Sequence, residues 1–128
     1  MNIQSTQIIL YVSDQRAATA FYTRLLQRNP ILDVPGMTEF ELLPQSKLGL
    51  MPNDGIAKIL SGKTPHPATA NGIPRCELYL LTDDVFQAFA HATTLGAVMV
   101  SPVQLRDWGH NVGYLMDADG HIIALAGR

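Results

Sequence analysis

The chain has 128 residues, enough for one compact domain or two small modules and too few for separate catalytic and regulatory domains. With 47% hydrophobic and 16% charged residues it lies on the folded side of the hydropathy and charge balance, which excludes disorder as its main state. Nine Lys and Arg against eleven Asp and Glu give a net charge of -2, and the basic residues are scattered, so no nucleic acid is expected as a partner.

A strand is predicted over Gln7 to Ser13, from its β-branched and aromatic content. Asp14 then caps a helix to about Gln27 with the apolar stripe Ala18, Phe21, Tyr22 and Leu25. Three short strands follow at Ile31 to Val34, Met37 to Leu43 and Lys47 to Met51, punctuated by Pro35-Gly36 and Pro44. Residues 53–74 are rich in Pro, Gly, Ala and Thr and read as a linker with a short helical turn at Ile56 to Leu60. Beyond it come a strand at Arg75 to Thr82 and a helix to Leu95 capped by Asp83 or Asp84, whose stripe is Val85, Phe86, Phe89, Ala92 and Leu95. Strands at Ala97 to Ser101, Asn111 to Met116 and His121 to Ala126 complete the chain, the last two joined by a turn at Asp117 to Gly120.

The second half repeats the first. At an offset of 70 residues Leu10, Asp14, Ala18, Ala20, Thr23 and Leu25 meet Leu80, Asp84, Ala88, Ala90, Thr93 and Leu95. The expected fold is therefore α+β, a single domain of two tandem βαβββ modules (about 1–52 and 75–128, with linker 53–74) forming a curved sheet that encloses a cleft. The N-terminus has no basic and apolar leader, and no run approaches the roughly 18 apolar residues of a membrane span. The lone Cys76 cannot form an intrachain disulfide. A cytoplasmic protein with no membrane partner is expected.

Four segments in this order carry a resemblance: LYVSD with Phe21-Tyr22, RCELYLLTDDV (Arg75 to Val85), LGA (Leu95 to Ala97) and RDWGHNVGYLMDADGHIIAL (Arg106 to Leu125). With them the chain resembles the vicinal oxygen chelate superfamily of glyoxalase I, bleomycin-resistance proteins and extradiol dioxygenases. The resemblance implies a divalent metal held by the first and last strands of the modules. At those positions stand Gln7, Glu77, Ala124 and, on or near the fourth, Gly49. Gln7 and Glu77 are the only donors among them, too few for a well-held Zn²⁺, Ni²⁺ or Fe²⁺. None of His66, His91, His110 and His121 forms a helical or strand pair suited to a metal, and surface or loop roles are expected for them.

If Gln7 and Glu77 face the cleft, strand alternation turns Ile9, Tyr11, Tyr79 and Leu81 the same way, with Ile122, Ala124 and Ala126. It puts Ile8, Leu10, Cys76, Leu78 and Leu80 under the helices. The expected ligand site comprises Gln7, Ile9, Tyr11, Met51, Glu77, Tyr79, Trp108 and Ala124; alternatively, its polar groups satisfy one another at a seam between modules. Trp108 reads as a stacking wall or as a lid on the core, Met51, Met99 and Met116 as core filling, and Asp107, Asp117 and Asp119 as turn residues.

The expected function is binding of a partly apolar or aromatic small molecule, by sequestration or as a carrier, without a metal cofactor. The alternative is a glyoxalase I-like lyase or isomerase that uses a divalent metal (Zn, Ni or Fe), with Glu77 as the base. A third possibility is a non-catalytic dimeric interaction module. The resemblance implies a homodimer. An inward Glu77, stripped of solvent, favours a cationic or hydrogen-bond-donating ligand.

Overall fold

The computed structural model describes all residues from 1 to 128 and divides them into two compact units, Met1–Thr69 and Ala70–Arg128. Unit 1 contains β1 (Thr6–Val12), α1 (Gln15–Leu26), β2 (Leu32–Val34), β3 (Met37–Leu43), β4 (Ser46–Pro52) and α2 (Asn53–Leu60). Unit 2 contains β5 (Glu77–Leu81), α3 (Val85–Thr93), β6 (Val98–Leu105), β7 (Asn111–Met116) and β8 (Ile122–Gly127). The division falls in a short 3-10 turn at Pro67–Ala70.

Each unit folds one four-stranded mixed sheet, in the orders β1-β4-β3-β2 and β5-β8-β7-β6. In each, the first strand pairs parallel to the last, and every other pair is antiparallel. The crossover this needs is supplied by α1 and α3, and both start the same way. The Asp14 carboxylate accepts from the Ala17 N–H at 2.9 Å, and that of Asp84 accepts from Gln87 N–H at 3.0 Å. Each bond satisfies one of the donors that a helix start leaves unpaired, an interaction contributing about 1 kcal/mol.

The core of unit 1 lies between α1 and its sheet, where Val12, Tyr22, Phe40, Leu48 and Leu50 are fully buried. Thr38, equally buried, is satisfied there by Gln15, Thr19 and Asp33. In unit 2, Phe89 of α3 packs so closely on β7 that a Cβ at Gly113 would come within 2.4 Å of its ring. Only glycine fits there.

Several expectations fail at the margins of these cores. Residues 53–74 begin with the full helix α2, whose Ile56 is buried, rather than with one turn. Ile8 is exposed because α1 packs chiefly on β3 and β4, leaving the start of edge strand β1 uncovered. Cys76 is exposed because β5 begins one residue after it. Phe86 lies on the outer side of α3, and Met99 on the outer strand β6, so both are exposed rather than in the core. No helix is long and apolar enough to cross a membrane.

Candidate functional site

The face of unit 1's sheet opposite α1 gathers Gln7, Ile9, Tyr11 and Met51, with Tyr11 and Met51 as register partners. Ile9 and Tyr11 are each 38% exposed. Glu39 and Lys47 share that face and form an ion pair at 2.6 Å. The Lys47 hydrogen bond holds the Glu39 carboxyl below its usual 4.5; burial opposes this, while the Gln7 amide and the Lys47 charge add to it. Gln7 Nε2 is itself buried and meets no acceptor at good hydrogen-bonding geometry. It lies over Gly49, where a Cβ would come within 2.7 Å of it. The face thus pairs Glu39 with its one lysine, leaves Glu41 exposed two residues along β3, and closes over the glycine.

The corresponding face of unit 2 presents Glu77, Tyr79 and Leu81 from β5, beside Ile122, Ala124 and Ala126 of β8. Val112, Ala124 and Ala126 form a buried cluster on which Tyr114 packs. Tyr79 and Tyr114 are both register partners of Ala124 and flank it in one row. Leu105 ends β6, and a tight hairpin loop, closed by Arg106 N–H to the His110 carbonyl at 2.8 Å, returns the chain to β7. Gly109 supplies the left-handed residue this loop needs, with φ +89°.

That loop carries three side chains back to the sheet. Trp108 Nε1–H donates to the Tyr79 hydroxyl at 3.0 Å, and His110 Nδ1 lies 2.7 Å from the same oxygen. The Arg106 guanidinium sits 5.2 Å from the Tyr114 ring centroid, a cation-π contact. Its Nη2 reaches Ser101 Oγ at 2.8 Å, the Val112 carbonyl at 3.0 Å and that of Pro102 at 3.3 Å, while Nε also donates to Val112. The Ser101 to Gln104 stretch of β6 is irregular, and Arg106 satisfies carbonyls that regular pairing would have used.

Trp108 is therefore neither buried nor a lid on the core; it is 56% exposed and anchored by its indole N–H to Tyr79. Glu77 is exposed and pairs with no cation, so the expectation of a desolvated carboxylate selecting a cationic ligand does not hold. Arg106 and His110 were not foreseen as site residues. Their signal was the alternation of Arg106, Trp108 and His110 through one hairpin loop.

Asp117, Asp119 and His121 also cluster, with ligand-type atoms within 4.8 Å of one another. Asp117 Oδ1 accepts from the N–H groups of Asp119 and His121, and Oδ2 meets His121 Nδ1 at 2.9 Å. This braces the turn before β8. Burial works against the charged imidazole, but the Asp117 hydrogen bond and the charges of Asp117 and Asp119 outweigh it, so His121 titrates above its usual 6.5.

Two βαβββ units, each closing its first strand on its last, define the class of fold to which the protein belongs. A family model described as the Glyoxalase/Bleomycin resistance protein/Dioxygenase superfamily matches residues 4–125, and the chain belongs to that superfamily. An uncharacterised protein of Mycobacterium bovis is 28% identical over 122 residues, covering 88% of this chain and 75% of its own length. A glyoxalase-related enzyme from Fulvimarina pelagi superposes with a TM-score of 0.81 at 18% identity, over 98% of this chain and 88% of that one. The solution structure of an Agrobacterium tumefaciens protein gives 0.75 at 26% identity, over 97% and 96%.

Proposed function

We propose that the chain is a small-molecule binding protein, acting by sequestration or as a carrier, that works without the divalent metal of its superfamily's enzymes. The observation that carries this is the chemistry at the four family positions. In unit 1 Gln7 offers a single neutral amide, its Nε2 end lying over a side-chain-less Gly49. In unit 2 Glu77 offers one exposed carboxylate, and Ala124 a buried methyl group. One carboxylate and one amide do not fit the ligand sets of catalytic Zn²⁺, Ni²⁺ or Fe²⁺. Aromatic and aliphatic side chains with a few fixed polar atoms, as at Tyr79, Trp108 and His110, fit the composition of a ligand-binding surface.

Elemental analysis of protein expressed with Zn, Ni and Fe in the medium tests the proposal, and well under one metal per chain after dialysis is expected. Near-equimolar metal that is lost in Gln7→Ala overturns it in favour of a glyoxalase-like lyase. A homodimer is part of the same proposal, supported by the exposed apolar run Val98, Met99 and Val100 on edge strand β6. Light scattering should give twice the chain mass of 14.0 kDa. A reducing cytoplasm accords with the exposed, unpaired Cys76.

A further inference from the structure

We propose that the sheet face of unit 2 is a site for an aromatic anion, with Arg106 meeting the acid group over Tyr114 and the Tyr79, Trp108 and His110 trio lining the other end of the aromatic row. This rests on the small-molecule reading above and narrows it to a ligand class opposite in charge to the one an inward Glu77 would select.

The first support is an unneutralised cation. Every hydrogen bond of Arg106 goes to a neutral acceptor: two carbonyls, a hydroxyl and the Gln104 amide oxygen. Neither Asp107 beside it nor Glu77 on the same face forms an ion pair with it. The guanidinium is held rigidly over Tyr114, and Nη1 has only the 3.4 Å contact with Gln104 Oε1. A fixed, partly desolvated guanidinium without a counter-charge is arranged for an incoming carboxylate or phosphate.

The second support is a count of protons. The indole of Trp108 can only donate, so the Tyr79 oxygen accepts from it. If Tyr79 then donates to His110 Nδ1, the imidazole keeps an N–H at Nε2. If His110 donates instead, the Tyr79 O–H is left over. A protonated imidazole leaves both. In every protonation state the trio holds at least one donor more than its own acceptors use, and that donor is open to an acceptor-bearing ligand.

The third support is placement. Tyr79 and Tyr114 flank Ala124 in one register row, two strand spacings or about 10 Å apart. The donors of the Tyr79 trio and the cation over Tyr114 thus lie at either end of a short aromatic row, on one face of one sheet. Trp108 is the only tryptophan in the chain, so its emission reports on this face alone.

The test titrates benzoate, benzyl alcohol and benzylamine against the intact protein by Trp108 fluorescence. Benzoate should bind at least about tenfold more tightly than either of the others, the scale of one charge-assisted pair. Arg106→Gln should weaken benzoate about tenfold and leave benzyl alcohol within about twofold. Because Arg106 also supports the hairpin, backbone NMR of the unaltered protein gives an independent measurement. Benzoate should shift the amides of residues 106–110, Tyr79 and Tyr114 and leave those of Gln7 to Val12 in place. Equal or tighter binding of benzylamine, an Arg106→Gln variant that is folded and binds benzoate normally, benzoate shifts confined to other residues, or no benzoate binding overturns the inference. The small-molecule reading survives if the neutral or cationic probe binds instead, and its metal independence stands or falls on the elemental analysis.

Discussion

The two units share one topology and handle polar groups on equivalent faces in opposite ways. In unit 1, Lys47 reaches across to Glu39, and Gln7 folds down over Gly49, so the one cation of that face is paired within the sheet. In unit 2, Arg106 is bonded only to neutral acceptors, and Tyr79, Trp108 and His110 keep a surplus donor. A duplicated fold therefore does not duplicate its chemistry. The sheet sets where side chains point, while side-chain identity and loop length set whether the polar atoms satisfy one another or are left for a ligand.

The sharpest way to break this comparison is through the two crowded glycines. Gly113→Ala drives a methyl group into the Phe89 ring and to within 2.9 Å of Val103 Cγ2, and neither the ring nor its helix can give easily. A loss of about 2 to 3 kcal/mol is expected in denaturant unfolding. Gly49→Ala meets mainly the end of the Gln7 side chain, which can swing away, so the expected loss is under about 1 kcal/mol. Equal losses would mean that the Gln7 amide is as fixed as the aromatic packing of unit 2.

Acid and alkali should separate the units next. His121 titrates above 6.5 when folded, so its proton stabilises the native state fully below that value. This contribution is lost as pH rises through the folded pKa. Thermal melts from pH 6 upward should show the decline, and His121→Gln should flatten it. Glu39 behaves with the opposite sign. Its folded pKa lies below 4.5, so its contribution is present above that value and fades as pH falls through the folded pKa. The pair is partly exposed, and Lys47→Ala should remove about 0.5 kcal/mol at neutral pH and blunt the acid dependence.

The architecture was legible because it is written in local signals. Asp14 and Asp84 mark helix starts, Gly120 marks the last turn with φ +85°, and the 70-residue offset joins the two halves. β3 and β7 fall where their apolar and turn residues place them. The same alternation put Ile9, Tyr11 and Tyr79 opposite the helices, but it has no term for what covers a strand end, and it misplaced Ile8 and Cys76. The contacts that give the faces their character were not legible. Tyr79 and His110 are 31 residues apart, and whether they meet depends on how the 106–110 loop folds back. The role of Arg106 depends on an irregularity in β6, which no residue pattern announces.

The parallel pairing of first and last strands also bears on how each unit forms. β4 and β8 occupy inner positions in their sheets, yet each is the last strand of its sheet to be synthesised. The hairpins β2-β3 and β6-β7 are local, but β1 must wait for β4, about forty residues later, and β5 must wait for β8, which gives the chain slow, long-range closure steps. Unit 1 can close while unit 2 is still emerging from the ribosome. Unit 2 has no β5 partner until β8 is made, so a break in the chain before Ile122 strips it of a central strand and leaves β5 and β7 as open edges for aggregation.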